Sequence, residues 1–81
     1  MRLPRNVSGD ALVTLLARYG YERLRQDGSH IRLASTIAGR QHHVTVPRHN
    51  PVRVGTLSGI VTDVAAYLGR DRDAFSEELF G

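Results

Sequence analysis

Arg25-Gln26-Asp27-Gly28-Ser29-His30 is the stretch on which the fold turns. Asp-Gly between residues of alternating character is a two-residue hairpin signal. Read with Asp27-Gly28 as the loop, it sets Gln26 against Ser29 and Arg25 directly across from His30. Extending the ladder outward pairs Leu24 with Ile31 and Arg23 with Arg32. The pattern places a histidine at the start of a strand, beside guanidinium groups from its neighbour. Imidazole titrates near neutral pH and therefore serves as a proton carrier in catalysis.

The hairpin belongs to a longer meander. Tyr21 to Gln26, Ser29 to Thr36 and Gln41 to Pro47 read as three strands, the second and third joined through Ala38-Gly39. Before them, Ser8 caps a helix whose apolar face is Ala11, Leu12, Leu15, Leu16 and Tyr19, and Gly20 stops it. After Pro47 a loop runs from Arg48 to Val54. Gly55-Thr56 then opens a second helix with Leu57, Ile60, Val61, Val64, Ala65 and Leu68 in one stripe, closed by Gly69. Asp71 caps a short last helix that docks through Phe75 and Leu79. The expected architecture is α+β in two layers, with helices on one sheet face and the other face open.

Period-two alternation decides what the open face carries. With Leu24, Ile31, Leu33, Val44 and Val46 directed at the helices, Arg23, Arg25, His30, Arg32, His43 and Thr45 point the other way. Tyr21 breaks the alternation, and a bend after Gly20 is expected to return it to the core.

Composition bounds the remaining possibilities. A chain of 81 residues supports one small domain over residues 1–81, burying about 60 per cent of its unfolded surface. No apolar run approaches the roughly 20 residues of a membrane span, and Met1-Arg2-Leu3-Pro4-Arg5 lacks the apolar segment of a signal peptide. With no cysteine, a cytoplasmic setting is the simplest expectation. All 11 basic residues are arginine. Residues 1–69 hold nine of them against four acids, whereas the last twelve residues hold two against four. A basic body with an acidic tail suits a phosphate-bearing partner, because guanidinium binds phosphate oxygens in pairs. His42-His43 does not make a metal pair, since adjacent strand side chains point to opposite faces, and no cysteine or helix-spaced ligand set accompanies them. No metal and no cofactor is expected. Ser29 lacks a Ser-His-acid arrangement and is read as a turn former.

The order of motifs resembles the HicA (YcfA) family of toxins. Leu3-Pro4-Arg5, the helix from Ser8, Gly20-Tyr21, Arg25 to His30, Val44-Thr45-Val46-Pro47 with His49, and Gly55-Thr56-Leu57 followed by Ile60 stand where that family has its recurrent residues. Three places depart from its pattern: Asp27 replaces the usual lysine of the turn, the second hairpin differs around Ala34 to Ala38, and Gly59 interrupts the second helix. The resemblance implies a fold like the double-stranded RNA-binding domain, metal-independent cleavage of messenger RNA by the histidine of Gly-Ser-His, and inhibition by a HicB-type antitoxin. Carried onto this chain, the catalytic role falls to His30.

On that basis His30 acts as general base, or as general acid toward the leaving 5′-oxygen, and yields a 2′,3′-cyclic phosphate and a 5′-hydroxyl. RNA or phosphate contacts are expected from Arg23, Arg25, Arg32, Gly28, Ser29, His43, Arg48 and His49. His43 and His49 are the candidates for a second proton-transfer group. The Gly55-Thr56 helix start is a further place for a phosphate. Two rival readings stand beside the ribonuclease: a non-catalytic RNA-binding module, and a degenerate toxin that only binds its antitoxin.

Overall fold

The computed structural model describes residues 2–81. Helix α1 spans Gly9–Ala17, strands β1, β2 and β3 span Glu22–Asp27, His30–Ser35 and His42–Pro47, and helices α2 and α3 span Val54–Leu68 and Arg72–Phe80. The strands form an antiparallel sheet in the order β1-β2-β3. The helices lie on one sheet face, an α+β arrangement of the double-stranded RNA-binding type, 17 Å through its shortest axis.

Local chemistry accounts for the helix boundaries. Ser8 Oγ accepts from the Ala11 amide at 3.0 Å, and Asp71 does the same for Ala74 at 3.0 Å, each satisfying an amide left over in a first turn. Gly69 closes α2 in the left-handed conformation at φ 68°. The inner stripes meet as expected: Leu12 and Leu16 from α1 and Leu57, Val61 and Val64 from α2 pack with Ile31, Leu33, Val44 and Val46 of the sheet, while Phe75 and Leu79 seat α3. Ala11 departs from the expected face and is exposed.

The hairpin register differs from the sequence reading. Asp27 pairs with His30, Gln26 with Ile31 and Arg25 with Arg32, so the loop is Gly28-Ser29 and not Asp27-Gly28. Gly28 has φ 59°, and among the described residues none other than glycine has positive φ, so only the first loop position needs the left-handed region. That is the type II′ pattern of glycine followed by any residue, whereas Asp-Gly as a loop requires positive φ at both positions.

A bulge between Arg23 and Arg25 is the second difference. It leaves Leu24 out of the ladder and sets Arg23 against Leu33 instead of Arg32. Leu24, expected inside, is 54% exposed. The physical reason is coverage: both α1 and α2 pack on β3, β1 is an edge strand beside β2, and all six of its residues are exposed. Tyr21, ahead of β1, is buried as expected, the chain having turned at Gly20 with φ 81°.

The loop after β3 is clamped on both sides. Gly9 N–H donates to the His49 carbonyl at 2.8 Å, Val52 N–H to Val7 at 2.8 Å, and Arg48 N–H to Ser29 at 2.6 Å. A side chain at Gly9 would bring its Cβ within 2.9 Å of the Arg48 Cα and closer still to the Pro47 carbonyl, so only glycine admits this approach.

Candidate nucleic-acid interface

His30 opens the central strand, with Asp27 on one side of the ladder and Pro47 on the other. Backbone pairing on both edges fixes where its ring emerges, and the residue is exposed. Alternation gives Arg32 and Thr45 the same outward parity as His30, and Arg25 joins them opposite Arg32. The loop lies one residue further along than the sequence alone suggests, which changes the pairings of Arg25 and Gln26 by two and preserves their parity. Arg25 and Arg32 therefore remain on the face of His30, one pleat repeat from it, although the residue directly across is Asp27.

That carboxylate organises the basic pair. Asp27 Oδ2 accepts from the Nε of Arg32 and forms an ion pair with the Nε of Arg25, both at 3.1 Å. The three side chains are between about half and two-thirds exposed. Two guanidinium groups held by one carboxylate leave a net positive charge, and guanidinium binds phosphate oxygens in pairs.

The clamped loop brings further groups to His30. A cleft of about 410 Å³ is lined by His30, Thr45, Pro47, His49, Arg53 and Thr56. His49 arrives because its carbonyl is held by Gly9, and Thr56 because it lies in the first turn of α2. Arg53 occupies the N-cap position of α2, where no side chain caps the helix and no acid stands in the first turn. Arg53 and Thr56, from the N-terminal end of α2, thus stand on one side of the cleft, a favourable setting for an anion. Sequence reading passed over Arg53. A basic residue where Ser, Asp or Asn is customary, followed by a turn without acid, is the signal that marks it.

The remaining expected residues separate. His43 pairs with Ala34 and shares the parity of His30, but it lies four strand positions away, about 13 Å by strand rise. It does not line the cleft. Arg23, paired with Leu33, has left the His30 parity and donates to the Gln26 side chain at 3.3 Å. Arg48 donates its Nε to Asp10 at 3.1 Å, tying the loop to α1. Gly28 and Ser29 form the turn, with the Ser29 carbonyl occupied by Arg48 N–H.

His42 turns to the opposite face, as adjacent strand residues must. Its ring stacks on Tyr67 at 4.6 Å and 11°, its Nδ1 meets the Tyr21 hydroxyl at 2.7 Å, and its Nε2 meets Asp63 at 3.2 Å. Burial, reinforced by Tyr67 and Asp63, raises the Tyr21 hydroxyl well above its ordinary range, so the phenol keeps its proton. This cluster joins α2 to the start of β3, at the other end of the sheet from His30. Among the described residues, no group of three or more His, Asp or Glu side chains is placed to hold a metal ion.

Comparison with known families gives a match over residues 9–65 to the family described as HicA toxin of bacterial toxin-antitoxin. No curated protein and no solved structure matches the chain. The matched span begins at α1 and runs through most of α2, so it contains the sheet and every residue of the His30 cleft.

Proposed function

The chain belongs to the HicA toxin family of bacterial toxin-antitoxin systems, and from that premise we propose that it is a metal-independent endoribonuclease acting on messenger RNA through His30. The observation that carries this reading is the His30 cleft itself. It offers an exposed imidazole on a rigid central strand, with a second imidazole and the Arg53 guanidinium beside it.

RNA brings its own nucleophile, the ribose 2′-hydroxyl. His30 takes that proton as the 2′-oxygen attacks the adjacent phosphorus, and His49 protonates the departing 5′-oxygen. The bond to the 5′-oxygen breaks as the bond to the 2′-oxygen forms, leaving a 2′,3′-cyclic phosphate and a 5′-hydroxyl. Arg53 and Thr56 stabilise the charge that collects on the non-bridging oxygens. Arg25 and Arg32 hold the neighbouring backbone phosphate, and a HicB-type antitoxin silences the toxin in the cytoplasm by covering this face.

A single substrate substitution tests the chemistry. RNA carrying one 2′-deoxy nucleotide at the scissile position should resist cleavage in the presence of chelator, while the matching all-ribose strand yields cyclic phosphate ends. Cleavage of the deoxy strand at the same position, or products ending in a 3′-hydroxyl, would overturn the mechanism.

A further inference from the structure

The arginines sort by partner. Arg25, Arg32, Arg48, Arg70 and Arg72 pair with carboxylates, Arg18 and Arg40 lie over tyrosine rings, and Arg23 bonds to Gln26. Among the described residues, Arg2, Arg5 and Arg53 have none of these partners, and all three border the first turn of α2.

That turn is a ridge between two clefts. Thr56 faces the His30 cleft, while Val54 and Ser58, four residues apart and hence on one helix face, line a second cleft of about 340 Å³ with Arg2, Leu3 and Arg5. Among the described residues, no acidic side chain lines either one. Two guanidinium groups and a hydroxyl therefore sit across a single helix, about 10–12 Å wide, from the reactive imidazole, with Arg2 also bordering the neighbouring cleft lined by Asp73 and Glu77. A flexible strand of a few nucleotides reaches over such a ridge.

We propose that the Arg2–Arg5–Ser58 cleft is a second phosphate subsite, which grips the backbone of the RNA strand whose scissile phosphate lies at His30. This inference rests on the ribonuclease reading. Its ligand is the sugar-phosphate chain in single-stranded form, since a rigid duplex does not fold over one helix turn. The subsite contributes affinity and no step of the chemistry, so strand length and salt dependence reveal it.

The test uses the full chain carrying His30→Ala, so that RNA stays intact, and measures binding of single-stranded oligonucleotides by fluorescence anisotropy across a salt series. Adding Arg2→Ala and Arg5→Ala should weaken binding of a long strand about tenfold at low salt and lower the salt slope by about 0.7 for each phosphate no longer neutralised. A strand too short to cross the ridge should bind equally to both proteins, and the lysine pair Arg2→Lys/Arg5→Lys should recover most of the affinity. Unchanged long-strand affinity and slope in the alanine variant, beside His30-dependent cleavage by the unsubstituted chain, would overturn the subsite and leave the ribonuclease standing. Absence of RNA binding by any of these proteins would overturn both.

Discussion

Asp27 stands directly across from His30 and draws the Nε of both Arg25 and Arg32 to 3.1 Å. One carboxylate therefore tempers the charge of the face while fixing the two guanidinium groups in place. The sequence revealed the charge but not the bridge, because the two-residue turn was legible while its register was not. Asp-Gly and Gly-Ser both make acceptable two-residue loops, and the conformation of Asp27, whose φ is not positive, separates them. Replacing Asp27 with Asn removes a negative charge next to the strand that carries His30. Asp27→Asn should tighten single-stranded RNA binding a few-fold, in keeping with an exposed ion pair worth roughly 0.2–1 kcal/mol, and should steepen the salt dependence. Anisotropy titrations at two salt concentrations measure this, and weaker binding in the Asn variant would show that Asp27 serves the interface by holding its arginines.

At the scale of elements, helix caps and apolar stripes were read to within a residue or two, since Ser8, Gly69 and Asp71 act through bonds that span only a few positions. The β1 strand was harder. Its apolar Leu24 follows the alternation, but neither helix covers the outer edge of the sheet, and a bulge releases the side chain to solvent. Gly59 makes a clean test of helix propensity, because a Cβ built there meets nothing within 4 Å. Gly59→Ala should stabilise the fold by about 0.5–1 kcal/mol, read from denaturant unfolding, with RNA cleavage unaltered.

The attachment of α3 carries a pH dependence. Glu78 accepts from Arg70 at 2.9 Å and from the Tyr19 hydroxyl, and these bonds, Arg70 first, hold its carboxyl below the ordinary value of 4.5. A carboxyl depressed in the folded state stabilises it above the unfolded value, and that contribution fades as pH falls through the folded value. Glu78→Gln should therefore lower the melting temperature at neutral pH and converge with the unsubstituted chain in acid. A melting difference that persists unchanged to low pH would assign the effect to packing.

Across the whole molecule, the site is an assembly of parts distant in sequence. His30 comes from the central strand, His49 from a loop held by the amide of Gly9, and Arg53 and Thr56 from the start of α2. Strand parity located His30, Arg25 and Arg32 because alternation is a local rule. The convergence of His49 and Arg53 depends on the close approach of α1 to the end of β3, a tertiary arrangement that no periodicity announces. The same geometry separates His43 from the cleft, though parity alone would have grouped the two histidines.

Single-turnover cleavage of one defined RNA, in chelator, by the unsubstituted chain and by His30→Ala bears most directly on the role of that imidazole. A fall of about 10²- to 10⁴-fold in rate is predicted, the range of general acid–base catalysis, with RNA affinity retained. Cleavage by His30→Ala at the unsubstituted rate would contradict the account.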